Sequence, residues 1–403
     1  MELFWLEHKK LWRKKIVKIC VLLCFVYCVI FGSILWFQWF GFGSSDDYTS
    51  AFGNNFDGYT VIKDSQEYAL SFGGELTDET LQKIVSDYQQ MEADGMEEEL
   101  EKTDWQIVNS WLGTLYPELR DTSNYKTMIS YVDPDKLTGF YERRQQVLDE
   151  FLEVSGQVGA EKEFLHQIER KVEKPFRYEW VEGWSTLLGS MVADLGVVMA
   201  LFLGIVLSSL FAGEWHDNTS TLVLTTRNGW GKIALAKILT GLAFTVELFA
   251  LLAVSNVISQ LFFMGTAGWD MPIQNIKLIA VAPMNMLQAE IYEYAFVLLG
   301  AIGFAGVVMF ISAAVENNVL TLLLSLAVVY GPMMIAEYLP YKMQKALDLI
   351  PLVGSSTDIF RTNTFRIFGK LIWSPYLLIT IPVLIGILCM PFAIKSWSRR
   401  MKA

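Results

Sequence analysis

The stretch LLGSMVADLGVVMALFLGIVLSSLFA, residues 187–212, decides the fold. Its 26 residues carry a single charge, Asp194. A helix rises about 1.5 Å per residue, so a run of this length exceeds the ~30 Å hydrocarbon core of a bilayer. Reading outward in both directions, blocks of the same kind recur. Residues 16–40 come before it, broken only by Lys18. Residues 238–264, 294–315, 319–336 and 375–394 come after it. Glu247 is the one other acid inside these blocks. The pattern predicts an all-α membrane protein with six transmembrane helices.

Charge divides the chain further. Residues 41–182 carry 30 acidic and 13 basic side chains, a net −17, which leaves +6 for the rest of a chain whose net charge is −11. An acidic surface of this size excludes nucleic acid as a partner, because phosphate recruits basic surfaces. Lys9, Lys10, Arg13, Lys14, Lys15 and Lys18 crowd the start of the chain. The positive-inside rule then places the N-terminus in the cytoplasm. The apolar block that follows is too long for a signal peptide and has no small-x-small cleavage site, so it reads as an uncleaved anchor. Phe4, Trp5, Leu11 and Trp12 fall on one face of the preceding segment, as in an amphipathic interfacial helix.

Six spans then alternate. Residues 1–40 hold the interfacial helix and the first transmembrane helix. Residues 41–182 form a mainly helical extracellular domain. Residues 183–403 supply five transmembrane helices, a cytoplasmic loop at 213–232 and an extracellular hairpin at 337–373. The expected location is the cell membrane of a bacterium, multi-pass, with both termini cytoplasmic. Lys342, Lys345, Arg361, Arg366 and Lys370 count against an outer position for the hairpin, while its run LDLIPLVG suggests a re-entrant or interfacial segment.

Within the acidic domain, Thr77 reads as a helix N-cap with Leu81, Ile84, Val85 and Tyr88 on one face. Asp133 reads as the cap of a second helix with Pro134 at its first position. GAEKEFLHQIERKVEK reads as a third. This domain has no cysteine, so its core alone must hold it.

No catalytic constellation emerges. His8, His166 and His216 lack metal-site spacing, and Gly229, Gly231 and Lys232 do not make a phosphate loop. Cys20, Cys24 and Cys28 share a helix face, which fits small apolar packing better than a metal or redox site. The expectation is a protein that is not an enzyme and binds no cofactor directly. Asp194 and Glu247, with Asn256 and Gln260 following at helical spacing, are pathway or interface positions: they line a transport route or hydrogen-bond between helices.

After the quoted stretch comes GEWHDNTSTLVLTTRNGWGKIALAK, residues 213–237. Glu214 ends the apolar run, Thr219, Leu222 and Leu224 follow, then a polar turn at Arg227, then Lys237 in the next helix. This order resembles the first cytoplasmic loop of the permease subunits of type-2 ABC exporters. Asn218 stands where that family usually has Gly, and Arg227 where it often has Pro. The resemblance extends to an interfacial helix, six spans and a large insert between the first two. It implies a permease that dimerises with a second half, the same or a homologous chain, among membrane lipids, and docks cytoplasmic ABC ATPase subunits. ATP and Mg would act through that ATPase. It also implies that Glu214, Thr219, Leu222, Leu224, Arg227 and Lys237 couple the two, and that the cargo is a peptide, a lipid or another small substrate. The rival expectation is a membrane sensor or resistance protein whose extracellular domain binds a ligand.

Overall fold

The computed structural model describes residues 2–39, 66, 73–96, 105–121, 126–188, 192–217, 219, 231–354, 359–360 and 362–399. Side chains are described throughout these except at 28, 29, 31–39, 105, 106, 192–194, 263 and 341. The protein is mostly helical. Five helical stretches among the described residues are long and apolar enough to cross a membrane: Leu195–His216, Lys232–Phe262, Met286–Ala314, Asn318–Tyr338 and Ser374–Arg399. Each overlaps one of the last five blocks read from the sequence. The first block falls on the helix Lys15–Trp39.

We label the helices used below as α1 (Glu2–Arg13), α2 (Lys15–Trp39), α3 (Asp78–Ala93), α4 (Phe140–Val154), α5 (Ala160–Glu169), α6 (Val192–Ser208), α7 (Ala212–His216), α8 (Lys232–Met264), α9 (Met286–Ala314), α10 (Asn318–Ile335) and α11 (Ser374–Arg399). The bundle core is built from Leu203, Leu207 and Phe211 around Phe244, Phe304, Val308 and Trp397. Its tightest contact joins α9 to α11. A Cβ added at Gly306 would lie 2.5 Å from the Gly386 carbonyl, and one added at Gly386 would lie 2.6 Å from the Gly303 Cα. Backbone approaches backbone here, the packing that small residues permit in membranes.

The start of α9 corrects the sequence reading. Its apolar block begins at residue 294, but the helix begins at Met286, where Asn285 and Gln288 form a reciprocal capping box. Glu290 and Glu293 therefore lie inside this helix, and Asp194 and Glu247 are not the only acids within the bundle helices.

At one end of the bundle, the described residues between 73 and 188 pack into two apolar clusters, one around Trp111, Tyr116 and Phe140, the other around Leu148, Leu165 and Trp184. The connection after α8 belongs to this unit, since Leu278 enters the first cluster and Met271 and Ile273 enter the second. Buried Arg144 joins the parts. It pairs with Glu169 at 2.6 Å and donates to the carbonyls of Leu278 at 2.7 Å and Ala280 at 3.2 Å. Burial opposes the charge on Glu169, but Lys174 and Arg144 outweigh it and hold the carboxyl below its usual range. The hairpin β1 (Thr364–Ile367) with β2 (Lys370–Trp373) reaches the same unit through Thr364 to Gln157 and Arg366 to Glu161, both at 2.8 Å. The three segments expected on one side of the membrane thus meet at one end of the bundle. Leu349, Ile350 and Leu352 of the run LDLIPLVG turn into the bundle core, with Leu352 against Gly300.

Thr77 caps α3 by accepting from the Thr80 amide at 3.2 Å, and Leu81, Ile84, Val85 and Tyr88 are its buried face. The second helix differs from expectation. Asp133 caps only a 3-10 turn, Pro134–Lys136. Gly139, at φ 71°, breaks the chain direction, and α4 starts at Phe140. Asp78 caps it from another helix, accepting from the amides of Gly139 at 2.7 Å and Phe140 at 2.8 Å. In the N-terminal helix α1, Leu11 is buried and Trp12 packs on Phe244, while Trp5 is 63% exposed.

Candidate functional site: a buried ion cluster at the 213–237 loop

Glu214 lies two residues past the apolar stretch 187–212, in the first turn of α7. Its carboxylate is buried, and a buried charge is costly unless it is paired, so it demands external cations. The structure supplies them. Lys237 on α8 donates to Glu214 Oε1 at 2.8 Å, and Lys10 on α1 reaches the same oxygen at 2.5 Å. Thr219 donates its hydroxyl to Glu214 Oε2 and its amide to the Glu214 carbonyl. Lys237 also pairs with Glu7 at 2.8 Å. Glu214 is 4% exposed and Lys237 2%. At Lys10, burial works against the charge, but the bond to Glu214 and its field raise the pKa. At Lys14, burial and the neighbouring Lys237 and Lys10 lower it, and its ammonium donates to Ser209 Oγ at 3.0 Å.

The backbone around the cluster is pinned as well. The chain breaks between α6 and α7, and Ser312 on α9 repairs the break: it donates to the Ser208 carbonyl and accepts from the amides of Phe211 and Ala212. Trp397 of α11 packs on Phe211 and Trp215. The first end of the loop is therefore fixed to α1, α9 and α11, and the second, through Lys237, to α1 and to Glu214. A displacement of the loop would move these elements together, since packed cores shift between discrete arrangements rather than deform.

Of the residues singled out in the sequence, Glu214, Thr219 and Lys237 come together here. Leu222, Leu224 and Arg227 lie outside the described residues. Asp194 lies on α6, with its side chain outside the described set. Glu247 on α8 does not join Asn256 and Gln260. It is 42% exposed, accepts from the Trp12 indole at 3.0 Å and meets His8 Nε2 at 3.1 Å, which ties α8 to α1. Asn256 and Gln260 are buried further along α8, and the Gln260 amide nitrogen has no hydrogen-bond partner. Lys232, a second conceivable partner for Glu214, is exposed.

Sequence reasoning missed two groups. Glu7 and Lys10 complete the cluster from more than 200 residues away. A faint signal existed, since Glu2 and Glu7 are the only acids in a basic segment. Glu290 and Glu293 are 4% and 0% exposed, and the Glu293 carboxylate has no hydrogen-bond partner among the described residues. Tyr294 sets its hydroxyl beside Glu290.

No protein-family model, curated protein or solved structure matches the chain.

Proposed function

We propose that the chain is the membrane-spanning permease subunit of an ATP-binding cassette exporter. It crosses the cell membrane six times, with residues 41–182 outside and both termini in the cytoplasm. It pairs with a second permease half and uses a separate ATPase subunit, which holds ATP and Mg, to move a peptide, lipid or other small substrate. The observation that carries this reading is the buried Glu214–Lys237 pair, which binds the two ends of the 213–237 loop to each other and to α1. A loop that passes motion from a partner into two spans needs rigid ends, and this pair supplies them. Leu222 and Leu224 would then be the apolar knob inserted into the ATPase, because apolar residues in a polar loop mark an interface.

The test is a pull-down. Leu222→Glu is expected to leave the protein folded in the membrane and to abolish co-purification of the partner ATPase. Undiminished recovery with normal transport would remove the coupling role of the loop.

A further inference from the structure

The hairpin of β1 and β2 has two unlike sides. Residues opposite each other in an antiparallel pair lie on the same side, and sides alternate along each strand. The register puts Thr364 with Trp373 and Arg366 with Leu371 on one side, and Phe365 with Ile372 and Ile367 with Lys370 on the other. The unit of residues 73–188 holds the first side: Thr364 bonds to Gln157, Arg366 bonds to Glu161, and Trp373 enters the cluster around Leu165. The second side presents Phe365, Ile367 and Ile372, each partly exposed, and the tip adds Phe368, fully exposed. None of these four joins an apolar cluster of the described residues. We infer that this side of the hairpin is a lipid-binding surface: it lies in the interface of the surrounding bilayer, with Phe368 at the acyl boundary and Lys370 among anionic headgroups.

Position and turn chemistry single out lipid as the occupant. β2 runs straight into α11, Trp373 being followed by Ser374. A strand rises about 3.3 Å per residue, so Ile372 and Lys370 lie within about 15 Å of the first residue of the span. The Trp373 and Tyr376 rings meet there at 5.9 Å, and Tyr376 is 60% exposed, the aromatic pattern of a membrane–water boundary. At the tip, Phe368 and Gly369 have φ of 48° and 80°. Two-residue turns with both positions left-handed favour Asn-Gly. Phenylalanine at the first position is strained, and a fully exposed ring gains nothing from the fold in return. Contact with acyl chains supplies that gain, and the exposed cation at Lys370 beside an aromatic and aliphatic surface is the composition that anionic bilayers attract.

The inference rests on α11 crossing the membrane and not on the docking of an ATPase. Its test places single cysteines at Phe368, at Leu388 in the middle of α11 and at Asp94 in a chain lacking Cys20, Cys24, Cys28 and Cys389. Each is labelled with an environment-sensitive fluorophore, and the full-length protein is placed in nanodiscs whose lipid carries bromine high on its acyl chains. The label at 368 is expected to emit to the blue of the label at 94 and to lose most of its intensity to the brominated lipid, while dissolved iodide quenches the label at 94. Phe368→Asn suits the turn better than phenylalanine. It should leave the unfolding midpoint in detergent unchanged or raise it, and it should cut the lipid quenching of a label at Ile367. A label at 368 that iodide reaches and bromine does not, or that neither reaches, overturns the lipid surface. So does a Phe368→Asn variant with a strongly lowered midpoint, since the ring would then pack on protein. The label at 388 separates the two failures: quenched by bromine while 368 is not, it overturns the hairpin alone; unquenched, it removes the span and the hairpin surface with it.

Discussion

Glu214 and Lys237 stand 23 positions apart in the chain and 2.8 Å apart in space, nearly sealed from solvent. Breaking a buried pair from one side leaves an uncompensated charge, which costs about 3–5 kcal/mol, whereas replacing both partners with apolar groups is often close to neutral. Lys237→Met is therefore expected to lower the thermal unfolding midpoint strongly, and Glu214→Leu with Lys237→Met to recover most of the loss. Glu7 and Lys10, one helical turn apart on α1, can then pair with each other. A single variant no more costly than the loss of an exposed pair, under about 1 kcal/mol, would show that the cluster does not lock the loop. The need for a cation at Glu214 is legible from its place at the end of an apolar run, although the chain breaks before it and sets it in the first turn of α7, and Lys237 is near enough in sequence to suggest itself. Glu7 and Lys10 are not legible, because no local rule links a side chain to a partner 204 or 230 residues away. Glu290 and Glu293 escape for another reason: an apolar window starts after them, whereas the capping box at Asn285 sets where the helix starts.

Helix caps show the same division between near and far. Thr77 governs α3 from the adjoining position, so the sequence reveals it. At α4 the local signal points to Asp133 and Pro134, but Gly139 turns left-handed just before the helix, and the capping carboxylate comes from Asp78, 61 residues earlier. Asp78 thus serves two helices at once, as an acid in the first turn of α3 and as the acceptor for the first amides of α4. Asp78→Ala should destabilise the unit by about 1–2 kcal/mol, the scale of a lost cap, where removal of an ordinary surface acid is nearly neutral. Chemical denaturation followed by tryptophan fluorescence measures this, and a change within a few tenths of a kcal/mol would mean that water replaces the carboxylate at no loss.

Across the whole molecule, the helical class and the five later apolar helices are legible because hydropathy alone dictates them. The joining of residues 73–188 to the two later connections is not, since Arg144, Gln157 and Glu161 give no sequence sign of their distant partners. The proposed topology has a direct check. Cysteines placed at Asp94 and at Asn218 in a background lacking Cys20, Cys24, Cys28 and Cys389 are exposed to an impermeant thiol reagent on intact cells. Labelling is expected at 94 and not at 218, and the reverse would invert the protein in the membrane. The glycine contact between α9 and α11 bears on how such a molecule can move. With Gly303 and Gly306 against Pro382 and Gly386, no side chain lies between the two backbones to act as a bearing. The two helices therefore count as one kinematic link. Any change of shape in the bundle must be taken up at its other joints, and α10, 17% buried along its apolar window, is the least enclosed of the five apolar helices found among the described residues.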